Sequence, residues 1–347
     1  MKPEEQPEIS YYTRSLDGHR QSYLDFVKTI FGGNRVEGIS LILRKHPVLF
    51  LMIEDNFLLY FIVGCIRAFL GRRTVGLLFR PKPALEASNF RLKLKLVMLR
   101  FLKKINSIQT LSIVPTTLEP KIATIVDDWI YDFQLWDITE EHKNISKKIR
   151  KGETNFSDLE KYEIAFHVKD KAYGRKILIA LGAQNKGKGT HTLSENINFL
   201  NELGFLTIIA GRFDHESIQQ KKNLENNGAI IFDRFMTDEE ILALYSIADA
   251  VWCYYDPSYD QASGILGRSI QLGILPIVRP ISFSEKFCNI AKIKYIAPNF
   301  KSNELLEFES LSDCKSSGEL VDLSNRLGTE SKIKIKQALG FIGRNCD

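Results

Sequence analysis

The sequence predicts an α/β protein of two Rossmann-like domains, each a parallel sheet with helices on both faces. Three observations carry that prediction. Short apolar runs at 176–181, 206–210, 229–232, 250–254 and 275–278 alternate with helical patterns, and that alternation is the signature of a parallel sheet. The chain also opens as its second half does, with a strand, a glycine turn and a helix. A length of 347 residues suits two domains of about 100–200 residues each. We expect an N-terminal domain over 1–165, a C-terminal domain over 166–330 and a terminal helix over 331–347.

Composition excludes several classes. The net charge of +5 is too mild to imply nucleic acid. Cys65, Cys253, Cys288, Cys314 and Cys346 form no CxxC pair, which fits reduced thiols in a cytoplasmic protein. The polar, acidic start Met1-Lys2-Pro3-Glu4-Glu5 is not a signal peptide. The most apolar stretch, 56–66, is short of the ~20 residues a membrane span needs and reads as a core helix.

In chain order, 9–13 reads as a first strand and Asp17-Gly18-His19-Arg20 as a turn. Tyr23, Phe26, Val27 and Ile30 then stand at i, i+3, i+4 and i+7, one apolar stripe of a helix. Gly18 and Arg20 are candidate acceptor-binding residues and His19 a candidate catalytic group, if this turn lines a cleft. The alternative is an exposed loop beside a helix cap. Residues 47–53 and 74–79 read as buried strands, with a helix over 56–70 between them.

Residues 91–105 carry six basic side chains and no acid. As a strand they alternate. As a helix they place Leu94, Met98, Phe101, Leu102 and Ile105 on one face and Lys93, Arg100 and Lys104 on another. Such a helix suits the surface of an anionic membrane, or packs inward with a solvated basic face. We expect peripheral attachment through 91–104 at the inner face of the membrane.

A strand over 107–114 follows, then Asp127, Asp128 and Asp132 among Trp129 and Tyr131. Acids beside aromatic rings suit sugar hydroxyls or general-base work, and Asp128 is the candidate catalytic acid. Ordinary surface acids are the alternative. Polar, charged residues over 140–174 mark the linker.

The loop from Gly182 to Gly189 follows the strand at 176–181 and opens a helix. Its glycines allow close backbone approach, and the helix start offers free N–H groups beside lysines, which together make an anion site. Gly182, Gly187 and Lys188 fit G-x-x-x-x-G-K, but Gly189 stands where a P-loop needs Ser or Thr to hold Mg²⁺. The nucleotide triphosphatase reading therefore fails.

The same loop belongs to a longer series: Ile208-Ile209-Ala210-Gly211, Phe232-Asp233-Arg234-Phe235-Met236-Thr237, Leu244 to Ala250, Gly264, and Gly273-Ile274-Leu275-Pro276. This series resembles the C-terminal half of GT-B glycosyltransferases, in particular family four. The resemblance implies that the two domains face a central cleft and that the C-terminal one binds a nucleotide-sugar. It implies that Lys188 neutralises donor pyrophosphate, that Gly182 and Gly189 shape the turn, and that the backbone at Phe235 and Met236 meets the nucleobase. Ser263 and Gly264 can offer N–H groups to phosphate.

Two departures stand out. Ala183 replaces the family's usual arginine, and the family's paired acids fall on Asp260 and Arg268. Asp260 is a candidate catalytic group for a sugar hydroxyl. Arg268 either substitutes for the missing phosphate charge or is surface.

The resemblance implies a glycosyltransferase that transfers to a lipid-linked or saccharide acceptor with retention of configuration, in surface polysaccharide synthesis. It implies no cofactor beyond the nucleotide-sugar itself and no metal, because Lys188, helix N-termini and Arg268 can carry the leaving-group charge. An inactive nucleotide- or lipid-binding protein and a nucleotide-sugar epimerase are the other readings.

Overall fold

In the computed structural model the described residues are 9–14, 19–132, 138, 144, 148, 149, 151, 162–298, 300 and 318–343. The chain divides into two compact units, Met1–Asp137 with Asn325–Asp347, and Ile138–Ser324. Both sheets are parallel throughout.

The first unit has six strands in the order β2-β1-β3-β4-β5-β6. They are β1 Ser10–Tyr12, β2 Asn34–Arg35, β3 Val48–Phe50, β4 Thr74–Leu78, β5 Ile108–Ser112 and β6 Asp128–Trp129. Helix α1 (His19–Phe31) buries Tyr23, Phe26 and Val27 against β1, β3 and β4 residues, the stripe expected from its periodicity. Helices α2 (Ser40–Leu43), α3 (Phe57–Phe69), α4 (Lys82–Glu86) and α5 (Phe90–Leu102) follow. Tyr60 of α3 packs so closely on β4 that a Cβ at Gly76 would lie 2.6 Å from its ring.

Two sequence expectations change here. Of the two readings for 91–105 the helix is formed, because Asn89 caps it by accepting from the Leu92 amide. Its core face, however, is Leu99 and Leu102, both fully buried, while Leu94 and Phe101 are 45% and 49% exposed. The apolar stripe drawn through Leu94, Phe101 and Leu102 is thus divided between core and solvent. The helix at 56–66 is a core helix on one side only: Tyr60, Val63, Gly64 and Arg67 are buried, Leu58 and Ile62 exposed.

The second unit has helix α6 (Glu163–Ala172), then β7 Lys176–Leu181, β8 Phe205–Ala210, β9 Ile230–Phe232, β10 Ala250–Cys253 and β11 Leu275–Val278, ordered β11-β10-β7-β8-β9. Buried on both faces, β7 from Ile177 and β8 apart from Thr207 are apolar along their length, as parallel strands are. Helices α7 (Thr190–Glu195), α8 (Ile197–Glu202), α9 (Ile218–Asn226), α10 (Asp238–Ile247), α11 (Gly264–Gln271) and α12 (Phe283–Ile290) connect them.

The final helix α13 (Gly318–Leu339) contributes Ile335, Ala338 and Leu339 to the core of the first unit. Ser331 Oγ accepts from the Tyr131 amide at 2.7 Å. Sequence order had suggested a division into 1–165, 166–330 and 331–347. The compact units instead part at 137/138, and the end of the chain returns to the first unit because those apolar side chains are buried there.

Candidate functional site

Strand order marks a candidate crevice in each unit. In an open parallel sheet the crevice lies at the carboxyl ends of the strands where the order reverses. In the second unit β7 has β8 on one side and β10 on the other. The loops after β7 and β10 therefore stand beside each other at the reversal.

The loop after β7 is built by its own residues. Gly182 takes φ +85. Gln184, almost fully buried, donates to the Gly182 carbonyl at 2.8 Å and accepts from the Thr190 hydroxyl at 3.2 Å. Asn185 accepts from the Lys188 amide at 2.9 Å, closing a single turn over Lys186–Lys188. Gly189, at φ +76, then starts α7. The β10 loop is locked to it, as the Asp256 amide donates to the Gly187 carbonyl at 3.1 Å.

Lys188 is the centre of the arrangement. Its Nζ lies 4.7 Å from the Tyr255 ring centroid and 4.5 Å from that of Tyr259, a cation held between two aromatic faces. The Tyr255 hydroxyl is 2.6 Å from Ser263 Oγ. Burial pushes that phenol well above its ordinary pKa, so it stays neutral. Ser263 Oγ also accepts from the Leu266 amide and caps α11, whose first residue is Gly264. Lys188, Gly182, Gly189, Ser263 and Gly264 are therefore brought together.

Arg279, just past β11, completes the cluster, and we assigned it no role from sequence. Its Nε donates to the Tyr255 carbonyl at 2.8 Å and its NH2 lies 3.4 Å from Asp260 Oδ1. That carboxylate oxygen also accepts from the Phe283 amide at 2.7 Å, at the start of α12. Asp260 thus has a structural duty, tying α12 and Arg279 to the β10 loop. The signal for Arg279 was available: an arginine immediately after a buried parallel strand points to the crevice edge.

Other expected residues lie differently. Met236 is buried in the core, and Phe235 is exposed with its carbonyl accepting from Arg234 at 3.2 Å. The turn holding them is set by the Thr237–Glu240 capping box and the Arg234–Glu240 ion pair. Arg268 NH1 donates to Gln271 on its own helix at 2.8 Å.

In the first unit Asp128 Oδ1 accepts from Lys334 of α13 at 2.8 Å and from the Trp129 amide at 2.7 Å. His19 and Arg20 are the first residues of α1, at the carboxyl end of β1. Their side chains, and Gly18 entirely, lie outside the described residues.

The first sheet reverses at β1, between β2 and β3. Glu54 follows β3 there, and sequence reasoning missed it. Oε1 accepts from the Arg80 amide at 2.5 Å, while Oε2 is shut off from solvent and has no donor among the described residues. Burial raises the Glu54 pKa against the opposing pull of the Arg80 amide and the Lys95 charge.

A raised folded-state pKa means that Glu54 favours the fold fully below the unfolded carboxylate pKa. That contribution is lost as pH rises through the folded value. Glu54→Gln should therefore melt progressively higher than the parent as pH climbs from about 4 to 7. A constant difference across that range would show that the carboxylate is not desolvated.

Comparison with protein-family models gave no match, and comparison with curated protein sequences gave none. Solved structures do match. A glycosyltransferase from Rickettsia africae ESF-5 superposes with TM-score 0.58 at 12% identity, covering 97% of this chain and 98% of its own. Anabaena HepE, solved with UDP and glucose, gives 0.55 at 10% identity, over 97% and 99%. WaaG, a glycosyltransferase of lipopolysaccharide biosynthesis, gives 0.54 at 13% identity, over 96% and 99%. At these identities the likeness speaks for architecture, and with two parallel α/β sheets of six and five strands the chain has the GT-B fold.

Proposed function

We propose that this chain is a glycosyltransferase that moves a sugar from a nucleotide-sugar to a saccharide or lipid-linked acceptor. The observation that carries the proposal is the cluster at the reversal of the second sheet. A glycine turn, the Lys188 ammonium, the Arg279 guanidinium and the capped start of α11 converge there, each suited to phosphate. Structural neighbours were solved with UDP and glucose, and with ADP and acarbose, which fits a diphosphate in that place.

In this reading Lys188 and Arg279 take up the charge of the leaving nucleoside diphosphate and no metal is required. Arg279 supplies the cation that Ala183 lacks, and Arg268 is a second source. The backbone of Phe235 and Met236 meets the base. Retention of configuration and a role in surface polysaccharide synthesis rest on the family-four resemblance. The acceptor binds at the reversal of the first sheet, where His19 and Arg20 open α1, while Asp128 stands on β6 at the far edge of the same sheet. The basic helix α5 brings the enzyme to an anionic membrane face.

A thermal-shift series with UDP, ADP and their glucose conjugates tests the donor site. A ligand at about 100 times its Kd adds about 2.7 kcal/mol, or roughly 5–10 °C for a unit of this size. Lys188→Ala removes a charge-assisted contact of about 1.5–3 kcal/mol and should weaken the best ligand about tenfold or more. If no nucleotide shifts the melting temperature, the donor site is misassigned. Binding without transfer or hydrolysis would instead identify a nucleotide-binding protein, the alternative that Arg268 and Ala183 favour.

A further inference from the structure

The first unit carries an apolar face that its core does not use. On α3, Leu58, Ile62, Ile66 and Phe69 stand at i, i+4, i+8 and i+11, and all four are exposed, Phe69 at 92%. On α5, Phe90, Leu94, Val97 and Phe101 repeat the pattern at i, i+4, i+7 and i+11, with Phe90 78% exposed. The two rows are neighbours, since the Phe61 and Phe101 rings lie 6.1 Å apart between the helices. Leu43 of α2 and Ile39 just before it are exposed as well. That helix is pinned beside the end of α3 by Arg72, which donates to the Ile42 carbonyl at 2.6 Å and the Leu43 carbonyl at 2.9 Å. Soluble monomers rarely leave contiguous apolar surface on this scale uncovered.

Charge says what covers it. From residue 56 to residue 118 eleven residues are basic and Glu86 alone is acidic. Lys93 and Arg100 on α5, with Lys104 in the turn just past it, form an exposed basic row beside the apolar row. A second copy of this chain docked across the face would bring two such rims together, like charge against like. A surface of acyl chains beneath phosphate headgroups complements both features.

We propose that α2, α3 and α5 form a face that inserts into the headgroup–acyl boundary of an anionic bilayer. No helix among the described residues is long and apolar enough to cross a membrane, so the face lies in the surface. This goes beyond electrostatic attraction of the single basic helix: α3 has no basic residue in its exposed row, and it supplies as much apolar surface as α5. The inference does not depend on the donor site.

The experiment is co-sedimentation of the full chain with phosphatidylcholine vesicles, with and without phosphatidylglycerol. It is run at low salt and at about 1 M NaCl, where the screening length falls to about 3 Å. The wild type should bind anionic vesicles at low salt and keep a salt-resistant fraction. Leu58→Gln, Ile62→Gln and Phe69→Gln together should cut partitioning at least ~10-fold at both salts. Lys93→Gln, Arg100→Gln and Lys104→Gln together should lose about fivefold per charge at low salt only. Single Ile62→Trp guards against an unfolded triple variant: its emission, after subtracting that of the wild type with its three tryptophans, should shift to the blue with anionic vesicles and be quenched by lipids brominated in the acyl chains.

Wild-type binding to the α3 triple variant, full release by salt, or an unquenched tryptophan would each overturn insertion. So would a lipid-free dimer that the α3 variant disperses, without vesicle binding. Donor-induced thermal shifts should be unchanged in every variant, which separates this face from the nucleotide reading.

Discussion

Arg67→Leu should destabilise the first unit by about 4 kcal/mol or more, if even two of its hydrogen-bond acceptors are left stranded at about 1–3 kcal/mol each. Arg67 has no exposed surface, yet it points from α3 into the interior without an acidic partner among the described residues. Its five N–H groups are all used. Nε donates to the Thr74 hydroxyl at 3.1 Å, NH1 to the carbonyls of Leu41 and Arg44 at 2.9 and 2.8 Å, and NH2 to those of His46 and Arg73 at 2.7 and 2.9 Å. Two of these carbonyls, those of Leu41 and Arg44, are at the end of α2, where a cation is also favoured by the helix dipole.

Burial, with a smaller push from Arg72, lowers the guanidinium to about 10, so it remains charged at neutral pH. A leucine matches the apolar stem but satisfies none of the carbonyls. Domains are stable by only about 5–15 kcal/mol, so this loss should appear directly in urea or thermal unfolding. Arg67→Lys keeps the charge without the fork and should fall between the two. A leucine variant that melts within a degree or two of wild type would mean that the acceptors find other donors and that α2 is not held by this residue.

The fold was legible because its signals are local. Short apolar runs such as Ile177–Leu181, and Phe205–Ala210 with its single Thr207, read as buried parallel strands when helical periods separate them. The turn from Gly182 to Gly189 was legible for the same reason, since glycines stand at its two positive-φ positions, the start and the end. The rest depends on partners far along the chain. Nothing near Asp260 announces that Phe283 and Arg279 will occupy it, and nothing near Asp128 announces Lys334. Carboxylates chosen by type were therefore assigned to chemistry without regard to these ties. Tyr255 and Tyr259 look like strand-end aromatics until Lys188 is placed between them. The α5 stripe was misdrawn because an amphipathic pattern shows which residues share a face and is silent on which face meets the core. With leucines on several sides of that helix, packing against α3 decided the matter.

Gly189→Ala should abolish nucleotide binding and cost far more stability than the same change at Gly204. Both glycines have left-handed φ, +76 and +79, so both substitutions meet the ~1–2 kcal/mol that L-residues lose in that region. They differ in space. A Cβ at Gly204 has nothing within 4 Å, while a Cβ at Gly189 would sit 1.9 Å from the Tyr254 carbonyl oxygen and 3.2 Å from Trp252 Nε1. The obstruction is backbone, so no rotamer relieves it. Either α7 moves off the sheet or the end of β10 moves, carrying Tyr255 with it. Either motion pulls Lys188 away from Tyr255 and Tyr259 and separates the glycine turn from the start of α11. A site whose groups must converge within an ångström or so loses affinity steeply under such a shift. We expect at least ~100-fold weaker nucleotide binding by calorimetry, against an unchanged constant for Gly204→Ala. Equal stability losses in the two variants, with nucleotide binding retained at Gly189→Ala, would show that the β7 and β10 loops are free to part and that the cradle is not set by their contact.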